Sequence, residues 1–304
     1  MVLSLFEAAK LHATNGDYKK AGVVSAFASS TPVLAAMPIV TIQGSAASWT
    51  EESVIATAAW RAVNSSYVAT EGKSKIRTEP LKICGGLIQI DRAITQMLGL
   101  EQQAAMIANK TKGVAQQIGF SLLAGDAGAD PKSVDGLLSR CPIGGTRAVS
   151  NSNAPLSMKK LDETIDEVSN PTHIILNRAM ARNITSYLRG NGTAIQMMQD
   201  AFGRRVMAYN DLPFVIADPV DVDTAYRALP FTEASSTCSM LVVSLGVDAL
   251  HLIQGSAGLD VSDIGVNDTG ILRGSLVEWA IGIADEGPRC IARLTGITDA
   301  TAAA

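Results

Sequence analysis

What this sequence lacks narrows its reading first. Charged residues make up only 18% of the 304-residue chain, where soluble domains average about 25%. Acidic and basic side chains nearly balance at a net charge of -4, so there is no polycationic face of the kind that grips nucleic acid. The four cysteines, Cys84, Cys141, Cys238 and Cys290, stand far apart with no CxxC pair. That reads as reduced core thiols, not a disulfide or metal framework. Only three histidines occur, His12, His173 and His251, none in an HExxH arrangement, and no metal site is expected. No GxGxxG or Walker loop is present, so Gly85-Gly86 and Gly144-Gly145 read as strand bulges and tight turns, and no cofactor is expected.

No apolar run approaches the about 20 residues that span a bilayer. The start, from Met1 to Glu7, has no positive region ahead of a long apolar stretch, so no signal peptide is expected. The chain should be made in a cytoplasm and stay soluble or assemble there. A mean hydropathy of +0.20 with so few charges fits surface buried against other chains, and equally a well-buried, alanine-rich enzyme.

What is present is a long extended stretch over residues 40–91, read as strand and turn without a core of its own. Short apolar alternations (Val40 and Ile42; Leu81 and Ile83; Ile88 and Ile90) lie between Gly/Ser/Ala-rich breaks, and two of three tryptophans, Trp49 and Trp60, fall inside it. A lone two-stranded ribbon is marginal in water, so such an arm must lie on its own domain or on a neighbour. Lys73, Lys75, Arg77 and Glu79 recur at period two and would project from one strand face. That ladder reads either as a docking edge, with Glu51 and Glu52 as partners across the ribbon, or as plain solubilisation of an exposed edge.

Before the arm, two short apolar segments, residues 3–11 and 21–27, flank a break at Asn15-Gly16-Asp17, and Pro32 and Pro38 favour an extended exit. Residues 1–90 therefore read as strap and arm. Asp91 then suits the N-cap of a helix of about thirty residues with Ile94, Leu98, Ala105, Ala108, Ala115, Ile118 and Leu122 on one side. Gly99 would bend it and Gly125 suits a left-handed cap after it.

An α+β region follows. Ser157 can cap a helix facing inward with Leu161, Ile165 and Val168; residues 172–176 form a buried strand; Asn177 can cap a helix with Met180, Ile184 and Leu188 that ends near Gly190-Asn191-Gly192. Residues 204–209 and 212–217, joined by Asn210-Asp211, read as a β-hairpin. Later, Val277, Trp279, Ile281 and Ile283 alternate in a strand, and Gly287-Pro288 turns the chain into residues 289–294. These strands should pack beside the long helix, with the central region inserted between, and residues 299–304 should fray.

Catalytic constellations are weak. Asp126, Gly128 and Asp130 suggest a calcium loop, but Leu137 stands where the bidentate glutamate belongs, so a turn is the better reading. Asp162, Glu163, Asp166 and Glu167 could pair as acid and base, although a solvated helix face explains them more simply. His173 lies in an apolar strand as a structural histidine.

The order of parts resembles the major capsid proteins of tailed bacteriophages with the Hong Kong 97 fold. Short stretches carry the resemblance: Leu5-Phe6-Glu7-Ala8-Ala9-Lys10; Asp135-Gly136-Leu137; Pro171-Thr172-His173 with Asn177-Arg178-Ala179-Met180; Phe202-Gly203-Arg204-Arg205-Val206 to Tyr209-Asn210; and Val277-Glu278-Trp279 with Arg293-Leu294-Thr295-Gly296-Ile297. It implies an α+β Hong Kong 97 phage capsid fold with an amino-terminal arm over 1–39, an extended β-ribbon loop over 40–90, a peripheral domain with a long spine helix over 91–132 and 235–304, and an axial domain over 133–234. It also implies a coat protein of a virion, assembled in the host cytoplasm into pentamers and hexamers of an icosahedral head. The head encloses double-stranded DNA without sequence-specific binding, and there is no active site and no membrane. Inter-subunit contact candidates are Trp49, Glu51, Glu52, Trp60, Lys73, Lys75, Arg77 and Glu79.

The expected partners are further copies of the chain, a separate scaffolding protein, a portal and a decoration protein. An arm beginning almost at Met1 leaves no room for a fused scaffold, and without an assignable asparagine and glutamate no isopeptide cross-link is expected. The alternatives are an encapsulin-like nanocompartment shell and a soluble α+β enzyme with an unrecognised site.

Overall fold

The computed structural model describes residues 2–3, 14, 31–91, 93, 96–97, 100–191, 196–199, 205–218, 226–233, 236–266, 270–287 and 289–302. A first sheet runs in the order β1 (Val2–Leu3), β2 (Ile39–Thr41), β12 (Leu250–Val266), β13 (Leu272–Asp285), β5 (Lys82–Asp91). β12 and β13 make a long antiparallel hairpin, and β5 pairs with β13 from Leu272↔Asp91 to Ile281↔Lys82. Period-two alternation fixes the core face: Val277, Trp279, Ile281 and Ile283 are buried, while Glu278 between them is exposed. Helix α2 (Leu100–Ala124) lies against that face with Val114, Ala115, Ile118 and Leu122, which recur at helical spacing.

The second sheet has the order β6 (Ala148–Ala154), β14 (Ile291–Ile297), β11 (Cys238–Val243), β7 (His173–Leu176), β10 (Leu212–Ile216), β9 (Arg205–Tyr209), β8 (Gln196–Gln199). Its central strands are mostly apolar because both faces are covered. On one face Ile175, Val215, Leu241, Val243 and Ile291 join the core beneath α2. On the other, Ile174, Phe214, Met240, Val242 and Leu294 meet helices α4 (Met158–Asp166) and α5 (Arg178–Gly190) through Leu161, Met180 and Ile184. Asn177 caps α5 by accepting a hydrogen bond from the Met180 amide at 2.8 Å. β9 and β10 form the expected hairpin, with Asn210 (φ 48°) and Asp211 (φ 62°) both left-handed, the geometry of the tight turn that matches strand twist.

Several expectations need correction. The coreless stretch is shorter than residues 40–91, because β5 pairs with β13 along the edge of the first sheet with Ile88 and Ile90 in the core, and β2 pairs in parallel with β12. Pro32 starts a short helix, α1 (Pro32–Ala36), whose missing N–H costs nothing at the first turn. Val33, Leu34 and Met37 are fully buried, and the Thr31 hydroxyl donates to Ala115 O of α2 at 3.1 Å, so this segment belongs to the core and not to a strap.

Asp91 ends β5 and, as expected of an N-cap, its carboxylate accepts from the amide of helical Ala93 at 2.7 Å. Ala108 is exposed, at the edge of the buried stripe of α2. Gly125 is not left-handed; it is glycine because a Cβ there would collide with the carbonyls of Ser121 and Val134. Gly85 and Gly86 sit in regular pairing with Glu278 and Val277, without a bulge. Ser157 occupies the N-cap position of α4 but makes no capping bond. The segments 3–11 (beyond Leu3) and 21–27, the Asn15-Gly16-Asp17 break, His12, Ile94, Leu98, Gly99, Gly192, residues 202–204, Pro288 and residues 303–304 lie outside the described residues.

Candidate assembly interface

Between the two sheets' strands, one element stands away from both cores. Among the described residues, β3 (Ala46–Val54) and β4 (Lys73–Pro80) pair only with each other, from Ala46↔Pro80 to Val54↔Lys73. At the root, Leu81 N donates to Ser45 O at 2.8 Å, so the two chain crossings are bonded side by side. Residues 55–72 form the tip, all of them exposed. Its apolar side chains are bare: Trp60 is 103% exposed, Val63 89%, Val68 85%, Ile55 77% and Tyr67 64%. Local polar bonds shape the tip instead of a core. Thr70 Oγ1 donates to Thr57 O at 2.7 Å, and Arg61 stands 5.4 Å over the Tyr67 ring while donating to Ser65 O at 3.2 Å.

The charge ladder divides in two. Lys73 and Lys75 are exposed near the tip, whereas Arg77 and Glu79 are partly buried at the root. Arg77 Nε bonds Glu51 across the ribbon at 2.9 Å, and its Nη1 reaches Asp285 at the end of β13 at 3.0 Å. Glu79 accepts from Arg140 at 2.8 Å, and Arg140 bonds the other oxygen of Asp285 at 2.8 Å. Arg140 ends helix α3 (Leu137–Arg140), and its remaining N–H groups are held by Asp135 O and Ile283 O. Burial raises the Glu79 carboxyl above its ordinary value, against the opposing pull of Arg140. Glu52 lies opposite Ser74, on the face away from the ladder, so it does not face the lysines. Trp49 lies opposite Arg77, and its buried indole N–H has no hydrogen-bond partner among the described residues. Sequence reasoning missed Arg140 and Asp285, and it missed the apolar tip residues apart from Trp60.

The groups considered for chemistry are engaged elsewhere. Asp126 accepts from the Gly128 and Ala129 amides, and Asp135 from Ala127 N, which is the bonding of a turn. On α4, Asp162 accepts from the Tyr209 hydroxyl at 3.0 Å, and Glu163 pairs with Lys160 at 2.6 Å. His173 Nδ1 lies 3.0 Å from Thr172 Oγ1. A hollow of about 340 Å³ opens beside α5, lined by Arg178, Arg182, Arg227 and Asp218. Asp218 there is tied to the amides of Ala228 and Leu229. Among the described residues no cluster of His, Cys, Asp or Glu could hold a metal ion.

Neither a protein-family model nor a curated protein sequence matches the chain. Solved structures do. The holo-SrpI encapsulin complex from Synechococcus elongatus PCC 7942 aligns over 88% of this chain and 87% of that one, at 12% identity and a TM-score of 0.67. The capsid of cyanophage A-1(L) aligns over 89% and 93%, at 12% identity and a TM-score of 0.65. The capsid of the native GTA particle aligns over 86% and 88%, at 13% identity and a TM-score of 0.60. Two packed sheets, a long helix across the first and a free ribbon are thus an arrangement shared with shell subunits over most of the chain: it has the Hong Kong 97 capsid fold.

Proposed function

We propose that this chain is the major capsid protein of a tailed bacteriophage, a coat subunit that forms the pentamers and hexamers of an icosahedral head around double-stranded DNA. The observation that carries the reading is the ribbon. It projects from a closed fold with Ile55, Trp60, Val63, Tyr67 and Val68 in water. An isolated ribbon of this kind is marginal, and a bare apolar tip is desolvated by docking on another copy. Trp60, Lys73 and Lys75 are the outer contact residues in this reading. Glu51 and Glu52 would contribute beside those lysines, and Trp49, Arg77 and Glu79 nearer the root.

Residues 46–80 then serve as the extended loop; the first sheet with α1 and α2 makes the peripheral domain, and the second sheet with α4 and α5 surrounds the local symmetry axis. The subunit acts through interfaces and not through an active site. Its place is the virion capsid, built in the host cytoplasm with a separate scaffolding protein, a portal and a decoration protein. A net charge of -4 suits a shell that encloses DNA without gripping it.

An encapsulin-like compartment is the second reading, favoured by the encapsulin among the matched folds. Negative-stain microscopy with sedimentation of the purified chain tests both. Closed shells, or rings of five and six, are expected; a uniform monomer or dimer, even with a scaffolding protein added, overturns the shell reading. DNA inside native particles supports the capsid, and a protein cargo supports the encapsulin.

A further inference from the structure

Beyond its root the ribbon has no packed side to hold it at one angle: residues 55–72 are all exposed, and only side chains such as Trp49, Glu51, Arg77 and Glu79 are half-buried where it leaves the body. Among the described residues its strands pair only with each other, and its root crosses from the body through Gly44, a glycine at φ +122° with open space around it. A left-handed glycine without neighbours is a natural hinge. What spans the hinge is charge. Arg77 and Glu79 alternate on one face of β4, so both reach the same side of the body, where Asp285 and Arg140 wait. Asp285 is only 6% exposed and gives one oxygen to each guanidinium, Arg77 from the ribbon and Arg140 from the body. Arg140 cannot swing, because Asp135 O and Ile283 O hold it.

We propose that Arg140 and Asp285, by holding Glu79 and Arg77 of the ribbon, form an ionic latch that fixes the angle at which the ribbon leaves the body, acting as positioning residues for its docking on a second copy. Paired charge-assisted bonds at the root can set that angle, because forked guanidinium contacts are directional. The pair is also shielded enough from water to resist screening. Only the consequence for docking rests on the shell reading; the latch itself concerns one subunit and can be tested on it.

The test is a distance distribution between spin labels on the unassembled full chain. Labels go on cysteines introduced at the exposed positions Val63 and Lys112, in a Cys84→Ser background. A single narrow distribution is expected with the latch intact. Asp285→Asn leaves two guanidinium groups facing an amide, and the distribution should widen at least about twofold as the hinge is freed. Arg77→Gln with Glu79→Gln lies on the ribbon, outside both cores, so the pair removes both links to the body without threatening the fold and should widen the distribution too. A width unchanged in the folded Arg77→Gln/Glu79→Gln chain would overturn the latch. Failure to form shells with the latch behaviour intact would instead count against the shell reading alone.

Discussion

Gly85 lies so close to Val277 on the neighbouring strand that a Cβ at Gly85 would stand 2.5 Å from the Val277 carbonyl oxygen. The obstacle is backbone, with Glu278 Cα at 3.0 Å beside it, so neither neighbour can move without disturbing the β5–β13 pairing. At Gly86, one residue on, a Cβ meets only the end of the Lys110 side chain, which can swing away. Gly85→Ala should therefore destabilise by about 1–3 kcal/mol, and Gly86→Ala by under about 1 kcal/mol, since alanine loses less chain entropy on folding. Urea unfolding of the two variants side by side checks the contrast, and equal losses would contradict it.

Arg293 is a buried cation in the second sheet. It donates to Glu233 at 2.8 Å, Ser239 Oγ at 3.0 Å, and the carbonyls of Cys141 and Leu138 at 3.1 and 3.2 Å. This one side chain ties β14 to the end of α3 and to the segment before β11. Glu233→Ala leaves the guanidinium without its counter-charge at 5% exposure, and a cost of about 3 kcal/mol or more follows. Thermal or urea unfolding measures it; a loss below 1 kcal/mol, roughly the worth of a surface pair, would show that the pair is not needed.

His251 gives the fold a pH dependence. It is 3% exposed, with Nδ1 unpaired among the described residues and Glu286 3.9 Å from Nε2. Burial lowers its basicity below the ordinary value of 6.5, only partly offset by Glu286. The unfolded chain therefore takes up this proton at higher pH than the folded one. Stability is complete above pH 6.5 and falls as the pH drops from there through the folded value. In unfolding curves between pH 7.5 and 5, His251→Gln should show a shallower loss than the parent chain, and parallel losses would remove His251 as the cause.

Local signals in the sequence located local structure well. Asn177 at the start of α5, the Asn210-Asp211 turn and the alternation through Trp279 each depend on neighbours within a few residues, and each is found where expected. Long-range pairing was invisible. β5 looked like arm because Gly85-Gly86 interrupts its apolar pattern, and only its pairing with β13 places Ile88 and Ile90 inside. β8, Gln196–Gln199, has no alternation at all; its residues are exposed, and β9 alone defines it as strand. Pro32 was read for its bias against helix in the residue before it, while its own position at a helix start depended on the pocket that receives Val33 and Leu34. The charge ladder was legible as a face, but the partner that divides it, Asp285, lies 208 residues from Arg77.

The ribbon can be removed without opening the body. Because Leu81 N already bonds Ser45 O at 2.8 Å, excising residues 46–80 and joining the ends with a two-glycine link closes a gap that the backbone already brackets. None of the removed side chains belongs to either hydrophobic core, although Arg140 and Asp285 lose their ribbon partners while keeping each other. The shortened chain should unfold within about 1–2 kcal/mol of the full one, the worth of the charge-assisted bonds that go. Shell formation should vanish, because the apolar tip and Lys73 and Lys75 are gone from the surface proposed to reach the next copy. Circular dichroism and urea unfolding would establish the fold, and microscopy the particles. Normal closed shells from the excised chain would mean that the body's own edges hold the assembly together and that the ribbon is dispensable to it.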